Sequence, residues 1–430
     1  MKIGILGGGL AGFALANFLK SDFEILEKEE VPGGLCRSFS KSGFWYDFGG
    51  HIIFSRDDEI TDLMVRMLRG NSSKLYRNNK IFYKGRFIKY PFENGLGQLP
   101  PRDRDYCLEH YLNNPHPKPK SNFKEWVYYT FGKGIAELYL IPYNEKIWKR
   151  KTKELGLEGF AWVKRIPRPP KEDVIKSSRG METEGYKHQL YFHYPKTGGI
   201  QSLFKCLLEP VGDGLTTTFE VKSVRRESGK WIVSNGRKEK CFERIVSTIP
   251  ITDFIGMLEN VPVKVKRAAT RLQYNSIIVV MVGISKIVQG DKFAVYYPQR
   301  NLIFHRVCFF RYLGENYVPK GCSSAVAEIT VRSGDPLFKA PEKKIIERVT
   351  RDMEKAGILK REYIVTTDVR REKYGYVVYD LEYAKNMKTI KDYLDSAGIH
   401  ILGRFGEFKY LNMDMTIKNA KELAEKLNGE

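Results

Sequence analysis

The order of apolar and polar positions is most informative near the start of the chain. Residues 2–6 form an apolar run of strand length, residues 13–20 have helical spacing, and residues 23–26 form a second apolar run. The turn after the first run has the Gly-x-Gly-x-x-Gly spacing at Gly7, Gly9 and Gly12. This order of strand, glycine-rich turn, helix and strand predicts a Rossmann-like unit that binds a dinucleotide.

Farther along, the chain alternates between helical spacing and a period of two. Helical spacing occurs at residues 57–68, 99–162, 200–208, 341–356 and 415–427. Strand-like runs occur at residues 75–90, 190–194, 217–224, 231–233, 244–249, 276–284, 293–298, 302–310 and 324–330. Turn residues inside 75–90 predict two short hairpins there, and 217–224 with 231–233 predicts a third hairpin.

These patterns predict an α/β protein that consists of a Rossmann-like domain, a helical insertion and an antiparallel β-sheet domain. The predicted Rossmann-like domain comprises residues 1–70, 190–255 and 397–430. The helical insertion, at 98–189, is predicted to bind substrate. The antiparallel domain comprises residues 71–97 and 256–396.

Composition narrows the class of protein. The formal net charge of +21 attracts anions, but the chain has no Lys/Arg-rich block of the type that binds nucleic acid, and its basic residues are spread among acids and aromatics, so nucleic acid is not an expected partner. The six cysteines are scattered without a Cys-x-x-Cys pair, which disfavours a metal site and a disulfide framework. No signal peptide or membrane-spanning run is visible, so a cytoplasmic location is expected.

The first glycines and an acid have defined expected tasks in a dinucleotide site. Gly7 makes the tight turn, Gly9 lets the backbone approach a pyrophosphate, and Gly12 lets the helix pack close to the strand. Glu27 follows the second apolar run. At that distance from the first glycine, an acid accepts hydrogen bonds from a ribose diol.

Two further glycine pairs, Gly33-Gly34 and Gly49-Gly50, follow Glu27. With them the chain resembles the FAD-binding superfamily of amine oxidases, desaturases and UDP-galactopyranose mutases. The resemblance implies FAD as the cofactor. It places Gly34 and Leu35 along the pyrophosphate, Gly49 and Gly50 near the isoalloxazine ring, and Val221 against the adenine.

Three stretches resemble the UDP-galactopyranose mutase family, and more closely its eukaryotic type. Residues 141–148 read Ile-Pro-Tyr-Asn-Glu-Lys-Ile-Trp, residues 49–55 resemble the family's mobile histidine loop with His51, and residues 403–414 resemble its C-terminal flavin motif. The resemblance assigns six residues of that last region to the cofactor: Gly403, Arg404, Asn412, Met413, Asp414 and Met415.

The same resemblance implies a nucleotide-sugar site. Tyr139 and Tyr143 lie one helical turn apart and could stack on uracil, although two core tyrosines of an amphipathic helix would give the same spacing. Matching positions assign further substrate contacts to Asn144, Trp148, Arg165, Arg306, Tyr312, Tyr376 and Tyr410. Arginine suits a diphosphate because its fork binds bidentately, and Arg168 is an alternative to Arg165.

The function that this resemblance implies is a flavin-dependent mutase that interconverts UDP-galactopyranose and UDP-galactofuranose through a covalent N5 adduct of reduced FAD. His51, Arg165 and Arg306 are its implied catalytic residues. A reductant such as NAD(P)H and a homo-oligomeric state remain open. The alternative is a flavin oxidoreductase of amine oxidase or desaturase type. Glu93 departs from the family, since eukaryotic members carry a neutral amide at that place.

Overall fold

The computed structural model describes residues 2–157, 163, 166–184 and 190–429. The strands are β1 (Lys2–Leu6), β2 (Asp22–Leu26), β3 (Ser38–Lys41), β4 (Phe44–Asp47), β5 (Ser73–Tyr76), β6 (Asn79–Tyr83), β7 (Arg86–Lys89), β8 (Tyr191–Tyr194), β9 (Leu215–Thr216), β10 (Ser223–Glu227), β11 (Lys230–Ser234), β12 (Glu239–Phe242), β13 (Arg244–Ser247), β14 (Gln273–Ile284), β15 (Ala294–Tyr296), β16 (Arg306–Cys308), β17 (Ser323–Arg332), β18 (Ile364–Val378) and β19 (His400–Ile401).

The α-helices of the described residues are α1 (Leu10–Phe18), α2 (Asp58–Met67), α3 (Pro101–Leu112), α4 (Phe123–Ile135), α5 (Ile141–Trp148), α6 (Lys171–Ser178), α7 (Gln201–Leu208), α8 (Ile251–Met257), α9 (Val263–Arg271), α10 (Glu342–Lys355), α11 (Tyr383–Ser396) and α12 (Met413–Gly429). A π-helical turn, Ala136–Leu140, joins α4 to α5. In the described part of the chain, no helix is long and apolar enough to cross a membrane.

A five-stranded parallel sheet carries the glycine-rich turn. Its strand order is β19-β13-β1-β2-β9, and all registered pairs run parallel. Because parallel strands need a crossover, α1 connects β1 to β2 and packs on α12. The carboxyl ends of β1 and β2 therefore meet at one edge, where a doubly wound sheet binds its ligand.

A seven-stranded sheet forms the second layer, in the order β18-β14-β17-β16-β15-β6-β7. Its pairs are antiparallel except for β15 with β6. Strand β14, which lies between β18 and β17, is buried on both faces. Ile277, Val279 and Met281 belong to the main core, while the alternate side chains from Ile278 to Val282 pack in a second core with α10. This two-sided burial holds the sheet rigidly beside the cavity described below.

The predicted α/β class, with a Rossmann-like part, helices and an antiparallel sheet, is confirmed. The proposed division into three residue ranges stays a prediction. One hairpin within residues 75–90 is confirmed, as β6 and β7. The second is wrong, because β5 pairs with β8, which lies far along the chain.

Two further strand predictions are corrected. Residues 217–222 form no strand; β10 begins at Ser223 and pairs with β11, whereas β9 adds to the parallel sheet. The run at 302–310 is a strand only at β16, since bends precede this strand and a 3-10 helix, Phe310–Leu313, begins at the end of the run. In both cases the apolar run is buried without joining a ladder for its full length.

Candidate functional site

The glycine-rich turn forms a cradle at the carboxyl edge of the parallel sheet. The amide of Gly8 donates to Glu27 Oε2 at 2.6 Å, and the amide of Glu29 donates to Glu27 Oε1 at 2.9 Å. The amide of Gly33 donates to the carbonyl of Gly8 at 2.9 Å, which brings the second glycine pair against the first. The carboxylate of Glu27 is thus fixed beside the turn, where a ribose diol could replace one of its amide donors.

The cradle leaves open the space that a pyrophosphate needs. A Cβ added to Gly9 would meet no atom within 4 Å, whereas one added to Gly12 would collide with the carbonyl oxygen of Gly7. Gly9 therefore faces free space at the N-terminus of α1, and Gly12 serves helix packing. Because this space is open, the residues of the cradle fit a dinucleotide cofactor.

A single cavity of about 1300 Å³ extends from this cradle. A typical small-molecule site has roughly 300–1000 Å³, so the cavity has room for more than one drug-sized ligand. Of the residues predicted for the cofactor, those that line it are Gly7, Gly9, Glu27, Gly34, Leu35, Gly50, His51, Val221, Gly403, Arg404, Asn412, Met413, Asp414 and Met415. Gly12 and Gly49 instead pack against protein.

The loop at Gly49–His51 is held by a buried carboxylate of the seven-stranded sheet. The amide of Gly50 donates to Glu328 Oε1 at 3.2 Å. Gly49 has φ +96°, and a Cβ there would collide with the same carboxylate. Burial, Arg404 and Arg306 lower the pKa of His51 to about 3, so its imidazole is neutral.

The C-terminal segment closes the same part of the cavity. Arg404 donates from Nε to the carbonyl of Leu411 at 2.7 Å, and its guanidinium carbon lies 4.7 Å from the ring centre of Tyr410. Asp414, at the start of α12, accepts from Ser55 Oγ at 2.7 Å through Oδ2. Its Oδ1 is buried without a partner in the structure, and the residue lines the cavity.

Stacked aromatic rings form the far end of the cavity. Tyr139 stacks on Phe92 at 4.9 Å and on Tyr143 at 5.5 Å between ring centres, and Tyr143 meets Tyr296 edge to face at 5.5 Å. The π-helical turn sets the position of Tyr139 relative to α5. Such a group of aromatic faces suits a planar base.

Two other predicted substrate residues reinforce α5. Trp148 donates from Nε1 to Asn144 Oδ1 at 3.0 Å, and Asn144 donates to the carbonyl of Leu140 at 2.7 Å. Lys146 on the same helix donates from Nζ to the carbonyls of Tyr297 and Gln299, each at 2.7 Å. Burial lowers the pKa of Lys146 to about 7. These bonds fix α5 against the loop between β15 and β16.

Arg306 lies between the two ends. Its Nε donates to Glu328 Oε1 at 2.8 Å and its Nη2 to Glu328 Oε2 at 2.7 Å. The third guanidinium nitrogen, Nη1, makes neither bond. The Tyr376 hydroxyl lies 3.5 Å from Glu328 Oε2, and Tyr376 stacks on Tyr410 at 5.7 Å. The cavity thus combines a cation and tyrosine hydroxyls at its middle.

The structure does not bring every predicted residue to the cavity. Tyr312 donates its hydroxyl to the carbonyl of Tyr76 at 2.7 Å and is not among the lining residues. The 3-10 helix after β16 turns it away from the cavity that Arg306 faces. Arg165 lies outside the described residues. Arg168 is exposed and does not line the cavity.

The site includes residues that were not predicted for it from the sequence, among them Tyr296, His305, Glu328 and Glu93. Tyr296 and His305 line the cavity, Glu328 holds Arg306, and Glu93 is buried at the aromatic end. Burial raises the pKa of Glu93 to about 8, so this carboxyl is protonated at neutral pH. Only Glu93 gave a signal in the sequence, as an acid in place of an amide. Among the described residues, no cluster of three metal-ligating side chains occurs.

Comparison with known proteins agrees with this architecture. A crystal structure of reduced UDP-galactopyranose mutase superimposes with a TM-score of 0.91 at 25% identity, covering 100% of this chain and 95% of that chain. A protein from Exiguobacterium sp. 255-15 assigned as a protoporphyrinogen oxidase has a TM-score of 0.78 at 17% identity over 99% and 98% of the chains, which shows the fold alone.

A sequence relative and a family model add to this. An uncharacterized protein in the nifH2 3′ region of Methanothermococcus thermolithotrophicus is 43% identical over 73 residues, which are 16% of this chain and 71% of that protein. The model of flavin-containing amine oxidoreductases matches residues 10–386. The protein has the fold of UDP-galactopyranose mutase, and it belongs to the family of flavin-containing amine oxidoreductases.

Proposed function

We propose that this protein is a flavin-dependent mutase that interconverts UDP-galactopyranose and UDP-galactofuranose. The observation that carries the proposal is one continuous cavity with a glycine cradle at one end, stacked tyrosines at the other and Arg306 between them. The likeness to a reduced UDP-galactopyranose mutase over the whole chain supports the same assignment.

The aromatic end is assigned to the base. Tyr139 and Tyr143, which stack on each other, line this end of the cavity, and the protonated carboxyl of Glu93 supplies one donor beside one acceptor. The edge of uracil presents an adjacent carbonyl and N–H, which are complementary to that pair. Base stacking on aromatic rings contributes about 1–3 kcal/mol per base by alanine substitution in nucleic-acid complexes, enough to anchor a nucleotide.

The middle of the cavity is assigned to the diphosphate and the sugar. Arg306 supplies a positive charge whose direction is fixed by Glu328, and Tyr376 and Tyr410 supply hydroxyl donors nearby. These groups stabilise negative charge on a departing UDP without having to reorganise. When bound in its reduced form, FAD supplies the nucleophile for the anomeric carbon.

The cofactor is assigned to the cradle and the C-terminal segment. Gly9 and the N-terminus of α1 would receive the pyrophosphate, Glu27 a ribose, and the start of α12 the far side of the cofactor. His51 adjoins Gly50 and is neutral, so it can contact the flavin ring as a donor or acceptor without adding charge.

Direct assay of the sugar nucleotides tests the proposal. Dithionite-reduced, FAD-loaded protein is incubated with UDP-galactofuranose, and the sugar nucleotides are separated by chromatography. We expect UDP-galactopyranose to form, and we expect none with the oxidised protein, which is the matched control. Reduced FAD bound without conversion would contradict the mutase assignment. Reduction of a dye driven by an amine would favour an amine oxidase, to which the family match also points.

A further inference from the structure

His305 is a buried imidazole with no hydrogen-bond partner. The residue is 1% exposed, and neither ring nitrogen, Nδ1 or Nε2, has a hydrogen-bond partner in the structure. The side chain nevertheless lines the cavity. An unpaired buried polar group opposes folding by roughly 1–3 kcal/mol, so a fold without a use for this side chain would favour an apolar one.

The position of His305 is fixed by its backbone. Its amide donates to the carbonyl of Glu328 at 3.0 Å, and its carbonyl accepts from the amide of Tyr297 at 2.8 Å. The ring lies 6.4 Å from Tyr143 and 6.1 Å from Tyr376, measured between centres. His305 therefore stands between the aromatic end and the middle of the cavity, next in sequence to Arg306.

The charge state of His305 determines which partner it can take. Burial, Arg306, Lys146 and Lys149 hold its pKa well below the usual value, so the ring is neutral, with one donor nitrogen and one acceptor nitrogen. Nε2 lies 3.8 Å from Glu328 Oε2, beyond hydrogen-bond distance but close enough for attraction. A proton on Nε2 faces that carboxylate favourably, which leaves Nδ1 as the acceptor.

We propose that Nδ1 of His305 accepts a hydrogen bond from a ring hydroxyl of the bound nucleotide sugar, which makes His305 a specificity-determining residue. The inference rests on the proposed function. An acceptor nitrogen disfavours phosphate oxygens, which carry no proton at neutral pH, and selects a hydroxyl. The hydroxyl can belong to the hexose or to the ribose, and the two sources are separable by experiment.

Three variants of the oxidised, FAD-loaded protein test the proposal: His305→Asn, His305→Gln and His305→Leu. Asparagine can place its amide oxygen near the position of Nδ1, glutamine places its amide near Nε2, and leucine offers no acceptor. Dissociation constants for UDP-galactose and UDP are measured by calorimetry, alongside flavin content and melting temperature. Asn and Gln are matched polar replacements, so the comparison survives if the Leu variant does not fold.

We expect the His305→Leu and His305→Gln variants to bind UDP-galactose about three- to tenfold more weakly, which is the effect of one lost hydrogen bond. The affinity of the His305→Asn variant should stay within about twofold of wild type. Unchanged UDP binding would identify the hexose as the source of the hydroxyl, whereas equal weakening of both ligands would identify the ribose. The Leu variant, if it folds, should melt no lower than the wild type, because the imidazole it removes is unpaired.

Two results would overturn the assignment of His305. One is binding within about twofold of wild type for all three variants, since one lost hydrogen bond exceeds that change. The other is equal weakening in all three together with a lower melting temperature, which is the behaviour of a structural residue. A wild-type protein that binds neither UDP-galactose nor UDP would instead overturn the nucleotide-sugar function, and this inference with it.

Discussion

Arg306 and Glu328 form the pair on which the proposed diphosphate site depends. Glu328 is fully buried, and Arg306 supplies both nitrogens of a fork to it. Replacing the arginine with alanine would leave a buried, unpaired carboxylate, which is strongly destabilising. A substitution that keeps the charge therefore gives the clearer test of function.

For Arg306→Lys we expect UDP affinity to fall about tenfold, near 1.4 kcal/mol, because lysine keeps the charge but lacks Nη1, the nitrogen that the two bonds to Glu328 leave for the diphosphate. Flavin content should be unchanged. Arg311→Lys is the control, since Arg311 is 18% exposed and pairs with Glu315 outside the cavity lining. Equal UDP affinity in wild type and Arg306→Lys, measured by calorimetry, would remove Arg306 from the proposed site.

Glu93 predicts a specific dependence of stability on pH. Its pKa is raised from 4.5 to about 8 by burial, so the folded state holds a proton that the unfolded state releases above pH 4.5. Stability is therefore lost progressively as the pH rises from about 4.5 to about 8, by an amount on the order of a few kcal/mol.

Glu93→Gln should abolish that part of the pH dependence and melt higher than wild type at pH 8. Asp47 also has a raised pKa, about 7, but it is present in both proteins and cancels in the difference. The measurement is melting temperature against pH for the two proteins, with the exposed Glu259→Gln as the control. Parallel curves for wild type and Glu93→Gln would show that Glu93 is ionised in the folded state.

At the scale of elements, two glycines of the turn from β1 to α1 have different roles. Gly9 leaves space for the cofactor, and Gly12 allows close packing against the backbone of Gly7. Gly9→Ala adds a methyl group in open space, where the cofactor is expected, whereas Gly12→Ala forces a methyl group onto the carbonyl of Gly7. We expect Gly9→Ala to fold with little bound flavin, and Gly12→Ala to lower the melting temperature by itself. Absorbance at the flavin band and thermal melting of the apoprotein distinguish the two. Full flavin content in Gly9→Ala would place the pyrophosphate elsewhere.

Local elements were predictable where neighbouring residues determine them. The β1–α1–β2 unit follows from glycines and apolar runs within a short stretch, and it is confirmed, although α1 begins at Leu10 rather than at residue 13. The partner of β5 was not predictable, because β8 lies more than a hundred residues later and pairing depends on the tertiary fold. For the same reason, a period of two in residues 302–310 indicated burial but not a full strand.

The same distinction holds for individual site residues: contacts within one helix were predictable, and contacts between distant parts of the chain were not. Tyr139 and Tyr143 share a helix face, so their spacing alone predicted that they would stand together. Glu328 reaches Arg306 from the adjacent strand β17, and His305 enters the cavity from a turn, contacts that no short pattern encodes. Tyr312 was misplaced because the 3-10 helix after β16 changes the direction of the chain.

At the scale of the whole molecule, the net charge of +21 should assist the capture of an anionic ligand. Raising the salt concentration from about 0.05 M to about 0.5 M shortens the Debye length severalfold. We expect the association rate of UDP, followed by stopped-flow fluorescence, to fall severalfold over this range. Uridine lacks the diphosphate and is the control. If both ligands showed the same salt response, the positive field would have no part in capture.

The bonds of Glu328 have a thermodynamic consequence. One carboxylate accepts from the amide of Gly50, on the loop assigned to the cofactor, and from Arg306, assigned to the diphosphate. A ligand that shifts this carboxylate from either side changes the free energy of binding on the other. Linkage is reciprocal, so the factor by which the cofactor alters nucleotide affinity equals the factor by which the nucleotide alters cofactor affinity.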